Sequence, residues 1–191
     1  MDTKPNPNPN RQVIIGVAVI LGICLACCAA IGVVAVLGAP AVLEWASQQA
    51  APLEVGSSAP DFELTSLDGE SVRLSQFQGR PVLLVFGATW CPPCRAEAPL
   101  IQDAHEEYPE LVVLLVDMEE EADIVQGYVD EMNLTHLVLL DLNGLTSQKY
   151  HINAIPASFF IDEAGLIRAL EVGQLTRAAL AEKLKTIGVA P

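Results

Sequence analysis

The chain has 191 residues, of which 51% are hydrophobic, 18% charged and 5% aromatic, and its net charge is −14. The apolar content is too high for a disordered or collagen-like chain, and five cysteines are too few for a disulfide-rich scaffold of this length. All but two of the 24 acidic residues and all but two of the 10 basic residues lie in residues 46–191. This segment repels phosphates and anionic lipid headgroups, so we expect it neither to bind nucleic acid nor to lie on a membrane surface.

The first 39 residues predict a tail followed by a membrane anchor. Residues 1–12 contain a Pro-Asn repeat that cannot form regular structure, so we expect a disordered cytoplasmic tail. Residues 13–39 contain no charged side chain and exceed the roughly 20 residues that cross a bilayer. Lys4 and Arg11 precede this span, whereas the first basic residue after it is Arg73. The positive-inside rule therefore places the N-terminus in the cytoplasm and the remainder outside, on a single-pass cell-membrane protein.

A cleaved signal peptide is the alternative for residues 13–39. Its apolar region is normally about 7–15 residues, roughly half the length of this one, so the sequence favours an anchor. Cys24, Cys27 and Cys28 fall within the span and fit there as small apolar side chains, while acylation and pairing between two anchors stay open. Residues 40–54 are rich in small side chains and are interpreted as a linker.

Residues 55–191 alternate between strand and helix patterns. Alternating residues at 61–64 and 71–74, around an Asp-Gly turn, predict a hairpin, and the continuous apolar run at 82–86 predicts a central strand covered on both faces. The acidic run at 119–121 is expected to be a solvated loop. The further predicted elements are a helix over 92–107 kinked at Pro99, a strand over 111–116, a helix over 123–132, a strand over 137–140, a short helix over 145–150, strands over 157–161 and 166–172, and a last helix from the N-cap Thr176 to Lys185. This alternation indicates an α/β sandwich with a mixed sheet.

Cys91 and Cys94 are spaced C-x-x-C between the predicted central strand and a helix. Cys91 falls at the exposed helix N-terminus, where the dipole and the free N–H groups favour the thiolate, and Cys94 falls one turn further in, where we expect it to be the more buried of the two. We therefore predict that Cys91 attacks a partner disulfide and that Cys94 resolves the mixed disulfide. A zinc half-site and a structural disulfide are the alternatives, but zinc needs about four ligands, and His105, His136 and His151 are scattered along the chain. No metal is expected.

Residues 86–97, FGATWCPPCRAE, resemble the active-site strand and helix of thioredoxin-like proteins. Residues 55–64 resemble the G-x-x-A-P-D-F-x-L opening of the TlpA/ResA group, which consists of membrane-anchored thiol-disulfide oxidoreductases in the same broad superfamily as peroxiredoxins. The resemblance covers about residues 54–187. It implies a thioredoxin-like α/β fold with an N-terminal hairpin and an inserted helix and strand at 123–140, preceded here by one transmembrane helix.

The same resemblance implies roles for four more residues. Ile155 and Pro156 stand where thioredoxin-like proteins have a cis-proline beside the active site, so the backbone of Ile155 is expected to pair with an extended substrate peptide. Glu97 lies one helical turn after Cys94, where ResA-like proteins have a carboxylate that tunes the cysteines, and a surface glutamate is the alternative. Trp90 is expected to dock partner proteins and to pack partly against the domain.

The resemblance implies an enzyme that reduces protein disulfides outside the cytoplasm without a cofactor. A membrane thiol transporter is expected to supply its electrons, and cytochrome c or copper-site assembly is the process it is expected to serve. Thioredoxin has a buried aspartate that relays protons where this chain has Val85, so this relay is expected to be absent here. Glu97 is therefore the better candidate for the carboxylate that accepts the proton of Cys94. A peroxiredoxin-type thiol peroxidase is one alternative, although Thr89 is two residues before Cys91 rather than three. A metal or haem chaperone is the other, and the lack of Met or His beside the motif disfavours it.

Overall fold

The computed structural model describes residues 53–189. The predicted tail at 1–12, the predicted span at 13–39 and residues 40–52 of the predicted linker lie outside this range. Within the described range, no helix has both the length and the apolar character that crossing a membrane requires.

The described residues form a seven-stranded mixed sheet with flanking helices. The strands are β1 (Glu63–Ser66), β2 (Ser71–Arg73), β3 (Val82–Gly87), β4 (Val112–Met118), β5 (Leu137–Asp141), β6 (Ala157–Ile161) and β7 (Ile167–Val172). The helices are α1 (Pro92–Glu107), α2 (Ala122–Met132), α3 (Leu145–Lys149) and α4 (Arg177–Thr186), and a 3-10 helix (Leu74–Phe77) follows β2. The strand order is β2-β1-β5-β4-β3-β6-β7, in which β4 is parallel to β3 and β5 and the other pairs are antiparallel.

Strand β3 is buried over its whole length because both faces of the sheet are covered. Leu83 and Val85 belong to the core cluster that α1 and α4 close on one face. Leu84 and Phe86 belong to the cluster on the other face, where Phe86 packs against Tyr150 at the end of α3 with ring centroids 5.1 Å apart. The continuous apolar run in the sequence is thus explained by burial on both sides.

The predicted helices and strands are confirmed, with small shifts in their bounds, while the kink at Pro99 stays a prediction. The strand predicted at 111–116 continues to Met118, because Asp117 stands opposite Gly87 in the ladder with β3 and Met118 opposite Asp141 in the ladder with β5. The hydroxyl of Thr176 accepts a hydrogen bond from the backbone N–H of Ala179 at 3.2 Å, so Thr176 caps α4 as predicted. The hairpin β1–β2 and the inserted pair α2–β5 also lie where the family resemblance placed them.

Two of the three histidines, which are far apart in the sequence, are brought together by the fold as packing residues. The rings of His105 on α1 and His136 before β5 lie edge to face, with centroids 6.0 Å apart, because the inserted segment packs against α1. Burial lowers the pKa of the His136 imidazole to about 4, so this ring is neutral at pH 7. Across residues 53–189, no group of three or more His, Cys, Asp or Glu side chains is arranged to hold a metal ion.

Candidate active site

The two cysteines of the motif are joined by a disulfide at the start of α1, with their α-carbons 5.3 Å apart. Cys91 is the N-cap residue of the helix, and Pro92 takes the first helical position, where the missing N–H has no partner to lose. The backbone N–H of Cys94 points at Cys91 Sγ, at a distance of 3.2 Å. This N–H would stabilise a thiolate on Cys91 once the disulfide is reduced.

The expectation that Cys91 is the more exposed cysteine is wrong for this oxidised form. The exposed fraction is 2% for Cys91 and 7% for Cys94. Both sulfurs belong to a small cluster with Ala88, and Ile155 packs against that cluster from the neighbouring loop. The asymmetry between the cysteines therefore comes from the helix terminus and the Cys94 N–H, and not from a difference in burial.

The loop before β6 brings Ile155 and Pro156 to the disulfide. Strand β6 pairs with β3 so that Ala157 stands opposite Phe86, which puts the residues before β6 beside those after β3. The Ile155–Pro156 peptide bond is cis, as the family resemblance implies. Trp90 is 68% exposed, so the disulfide is flanked by a large apolar side chain open to solvent. Cys91, Trp90 and the cis-proline loop together form the outer side of the site.

The acidic run at 119–121 was expected to be a solvated loop, and this is wrong for Glu120. Glu120 is half-buried, and its two oxygens accept hydrogen bonds from the backbone N–H and the hydroxyl of Thr89 at 2.6 and 2.7 Å. Charge-assisted bonds of this kind are roughly twice as strong as neutral ones. Glu120 thus holds the loop that leads from β3 into the motif.

The inner side of the site is a small cavity behind Cys94. It is lined by α1, the ends of β3 and β4, and three side chains of the inserted segment, Tyr128, Leu134 and His136. The space open to the centre of a water molecule is about 20 Å³, which fits one water. Glu97 and Asp117 are the two carboxyl groups that line it together with Cys94.

Glu97 is a buried residue and not a surface glutamate. Its exposed fraction is 2%, and its Oε2 accepts a hydrogen bond from the backbone N–H of Leu175 at 2.8 Å. Burial raises the pKa of the Glu97 carboxyl to about 7, against the smaller lowering effect of the Leu175 N–H. The structure thus places a group that titrates near neutral pH in the cavity behind Cys94.

Asp117 is the site residue that the sequence analysis missed. Position 85 on β3 is a valine and supplies no carboxyl group. Asp117 supplies one to the cavity from the neighbouring strand, β4. Burial, and secondly the nearby charge of Glu120, raise the pKa of the Asp117 carboxyl to about 8. One signal pointed to it: Asp117 ends an apolar strand, and the carboxyl ends of parallel strands commonly carry functional groups.

Comparison with known proteins gives several relatives that are at least 30% identical to this chain. The chain is 34% identical over 142 residues to the thioredoxin-like protein YneN of Bacillus subtilis, covering 72% of this chain and 83% of YneN. It is 34% identical over 137 residues to the thiol-disulfide oxidoreductase ResA of Bacillus cereus, covering 71% of this chain and 79% of ResA. The chain belongs to the ResA family of thiol-disulfide oxidoreductases. The resemblance drawn from residues 55–64 and 86–97 is thereby confirmed.

Two further comparisons agree with this assignment. The AhpC/TSA family model matches residues 55–170. A DsbE-type thiol:disulfide interchange protein from Chlorobium tepidum superposes with a TM-score of 0.67 at 30% identity, covering 71% of this chain and 99% of the other. StoA from Bacillus subtilis superposes with a TM-score of 0.58 at 28% identity, covering 66% and 98%. The ResA-like chain therefore has a thioredoxin-like fold, and it is a thiol-disulfide oxidoreductase.

Proposed function

We propose that this oxidoreductase is a membrane-tethered reductase of protein disulfides that acts outside the cytoplasm. The observation that carries the proposal is the Cys91–Cys94 disulfide, which opens a helix beside the cis Ile155–Pro156 bond and the exposed Trp90. An extended peptide that lies along the cis-proline loop would pass beside the buried pair. The chemistry uses two thiols and no cofactor.

In the proposed reaction, the Cys91 thiolate attacks a client disulfide, and one client sulfur leaves as a thiolate. Cys94 then loses its proton and attacks Cys91 Sγ, which releases the second client sulfur and restores the disulfide. Two electrons pass from the cysteine pair to the client. We assign Glu97 the tuning of the thiols, the Ile155 backbone the pairing with the client chain, and Trp90 an apolar docking surface.

The proposed location and partners rest on the residues before the described domain. An uncharged span at 13–39 follows Lys4 and Arg11, which favours an anchor with its N-terminus in the cytoplasm. An oxidising milieu outside keeps a dithiol oxidised unless electrons are supplied, so we propose a membrane thiol transporter as the donor. Apocytochrome c or copper-site cysteines are the proposed clients, by analogy with the TlpA/ResA group.

A direct assay separates this proposal from thiol peroxidase activity. The pre-reduced chain is mixed either with insulin, whose disulfides serve as a model client, or with hydrogen peroxide. We expect far faster oxidation by insulin, because the Thr89 hydroxyl is bonded to Glu120 and Thr89 is two residues before Cys91 rather than three. Faster oxidation by peroxide than by the protein disulfide would instead favour a thiol peroxidase function.

The proposed topology is tested by proteolysis of cells that express the chain. Protease added to intact spheroplasts is expected to remove residues 46–191, because the basic residues that fix the orientation precede the span. A cytoplasmic marker protein that stays intact serves as the control. Cleavage of the N-terminal tail, with residues 46–191 protected, would contradict the proposed orientation.

A further inference from the structure

Strand register brings Asp117 to the sulfur of Cys94. Strands β3 and β4 run in parallel, and Asp117 stands opposite Gly87 in their ladder. The space beside the α-carbon of Gly87 is filled by Cys94, whose Sγ would be 3.5 Å from a β-carbon built on the glycine. Asp117 and Cys94 both line the cavity of about 20 Å³ on the inner side of the disulfide. The register of β3 and β4 therefore places the carboxyl group and the second cysteine on the lining of one small cavity.

Among residues 53–189, no donor stabilises the ionised form of the Asp117 carboxyl group, and the side chain that interacts with it is the Glu120 carboxyl. Asp117 is 1% exposed, and neither of its oxygens accepts a hydrogen bond within the described part of the chain. Asp141 at the end of β5 provides the contrast, since its oxygens accept bonds from the N–H groups of Thr146 and Ser147 and from the Ser147 hydroxyl. A buried carboxylate without partners costs free energy, so Asp117 does not stabilise the fold as Asp141 does.

The groups that face Asp117 favour its protonated form near neutral pH. Glu97 of α1 is a second carboxyl in the same cavity, and Glu120 adds negative charge from the loop after β4. Tyr128 of α2 and His136 before β5 also line the cavity, and the His136 ring is neutral. Burial, followed by the charge of Glu120, raises the pKa of Asp117 to about 8.

Arg95 is a cation beside this lining, but its guanidinium group pairs with groups outside the cavity. The guanidinium group of Arg95 lies 5.2 Å from the centroid of the Tyr128 ring and forms an ion pair with Glu131 on α2. Its Nη1 donates to the backbone carbonyl of Thr89. The Arg95 side chain therefore packs against the outer surface of α2. The Tyr128 side chain lies between Arg95 and the cavity.

We propose that Asp117 exchanges a proton with Cys94 across this cavity each time the disulfide opens or closes. The inference rests on the proposed disulfide-exchange function. When the mixed disulfide on Cys91 is resolved, the proton of the Cys94 thiol passes to the ionised form of Asp117, whose share grows as the pH rises toward 8. The resulting thiolate attacks Cys91 Sγ, the bond from Cys91 to the client sulfur breaks, and the client leaves as a thiolate that takes its proton from water. In the reverse direction, Asp117 returns the proton to Cys94 as that sulfur leaves Cys91.

Asp117 and Glu97 have different parts in this scheme. Glu97 is fixed through Oε2 by the N–H of Leu175 and only its Oε1 lacks a donor, whereas neither oxygen of Asp117 accepts a hydrogen bond from a donor among residues 53–189. A freely placed carboxyl can both take and give a proton without breaking an existing bond. The cavity therefore contains two carboxyl groups that can each bind a proton, next to a disulfide that accepts two electrons.

The test measures the two exchange steps separately in the full-length chain. The reduced chain is mixed with glutathione disulfide and quenched with acid at short times, and mass spectrometry follows the glutathione adduct on the peptide that contains Cys91 and Cys94. Growth of the adduct reports attack by Cys91, and its decay reports resolution by Cys94. The profile is recorded from pH 5 to 9 for the wild type, for Asp117→Asn and for Asp123→Asn, an exposed aspartate on α2.

In Asp117→Asn we expect resolution to slow by about a hundredfold or more near pH 8, where Asp117 is about half ionised in the wild type, at the low end of the usual contribution of a general base. The decay profile should also lose one titration, while the rate of adduct growth stays within about twofold. Asp123→Asn should match the wild type in both steps. Unchanged decay in Asp117→Asn, or equal slowing of both steps, would overturn the inference. If the wild type itself forms or releases no adduct, the proposed function fails first.

A measurement on the wild type keeps the inference testable if Asp117→Asn does not fold. Infrared difference spectra between the reduced and oxidised chain are recorded near neutral pH. Two carboxylic acid carbonyl bands are expected to change on reduction, one from Glu97 and one from Asp117, and Glu97→Gln should remove only one. Loss of all carboxylic acid signal in Glu97→Gln would show that Asp117 takes no part in the proton exchange.

Discussion

Cys94→Ser should turn the enzyme into a covalent trap for its clients, whereas Cys91→Ser should lose disulfide exchange almost completely. Cys91 is the N-cap residue of α1, and the N–H of Cys94 points at its sulfur, so a thiolate forms preferentially there. Without Cys94 the first attack still succeeds but no resolving thiol releases the client. Without Cys91 the nucleophile is gone, which we expect to slow exchange by roughly three orders of magnitude or more.

The measurement is the amount of client joined to each variant after alkylation, separated on gels without reductant and identified by mass spectrometry. Cys27→Ser is the matched control, because it removes a thiol that lies outside the motif, and it should behave as the wild type. Trapping only by Cys91→Ser would reverse the assignment of the two cysteines. Equal turnover by both motif variants would indicate single-cysteine chemistry and favour a peroxidase.

Local sequence patterns were sufficient for the outer side of the site. The C-x-x-C spacing and the strand before it fix where Cys91 and Cys94 lie, because a helix must begin between them. The Ile155–Pro156 dipeptide before an apolar strand was enough to place the cis-proline loop by family resemblance. Each of these features depends on residues that are neighbours in the chain.

The inner side of the site depends on contacts between distant segments, which local patterns do not encode. Asp117 meets Cys94 only through the register of β3 against β4, and a shift of one residue would point its carboxyl to the opposite face. Glu120 bonds Thr89, 31 residues earlier, because the loops after β3 and β4 leave the same edge of the sheet. The burial of Cys91 likewise comes from Ile155, which is 64 residues further along the chain.

Glu97→Gln should make the oxidised chain more stable at alkaline pH and leave its stability almost unchanged in acid. Burial raises the pKa of the Glu97 carboxyl from 4.5 to about 7, so the folded chain binds this proton more tightly than the unfolded chain does. The wild type therefore loses stability as the pH rises from about 4.5 through 7, and the loss is complete above that range. The difference between the two pKa values corresponds to roughly 3 kcal/mol of unfolding free energy.

Glutamine has nearly the same shape and keeps an oxygen that can accept the N–H of Leu175, so this loss should disappear from the variant. Urea denaturation of the oxidised chain between pH 4 and 9, followed by circular dichroism, should show the two proteins diverge through the interval from 4.5 to 7. The pH profile of disulfide exchange should change over the same interval, because the titrating group adjoins Cys94 in the cavity. Glu182→Gln, an exposed glutamate on α4, should follow the wild type throughout. Parallel stability curves for Glu97→Gln and the wild type would mean that Glu97 is already ionised in the folded chain at acid pH. That result would contradict the proposed role of Glu97 in tuning the thiols.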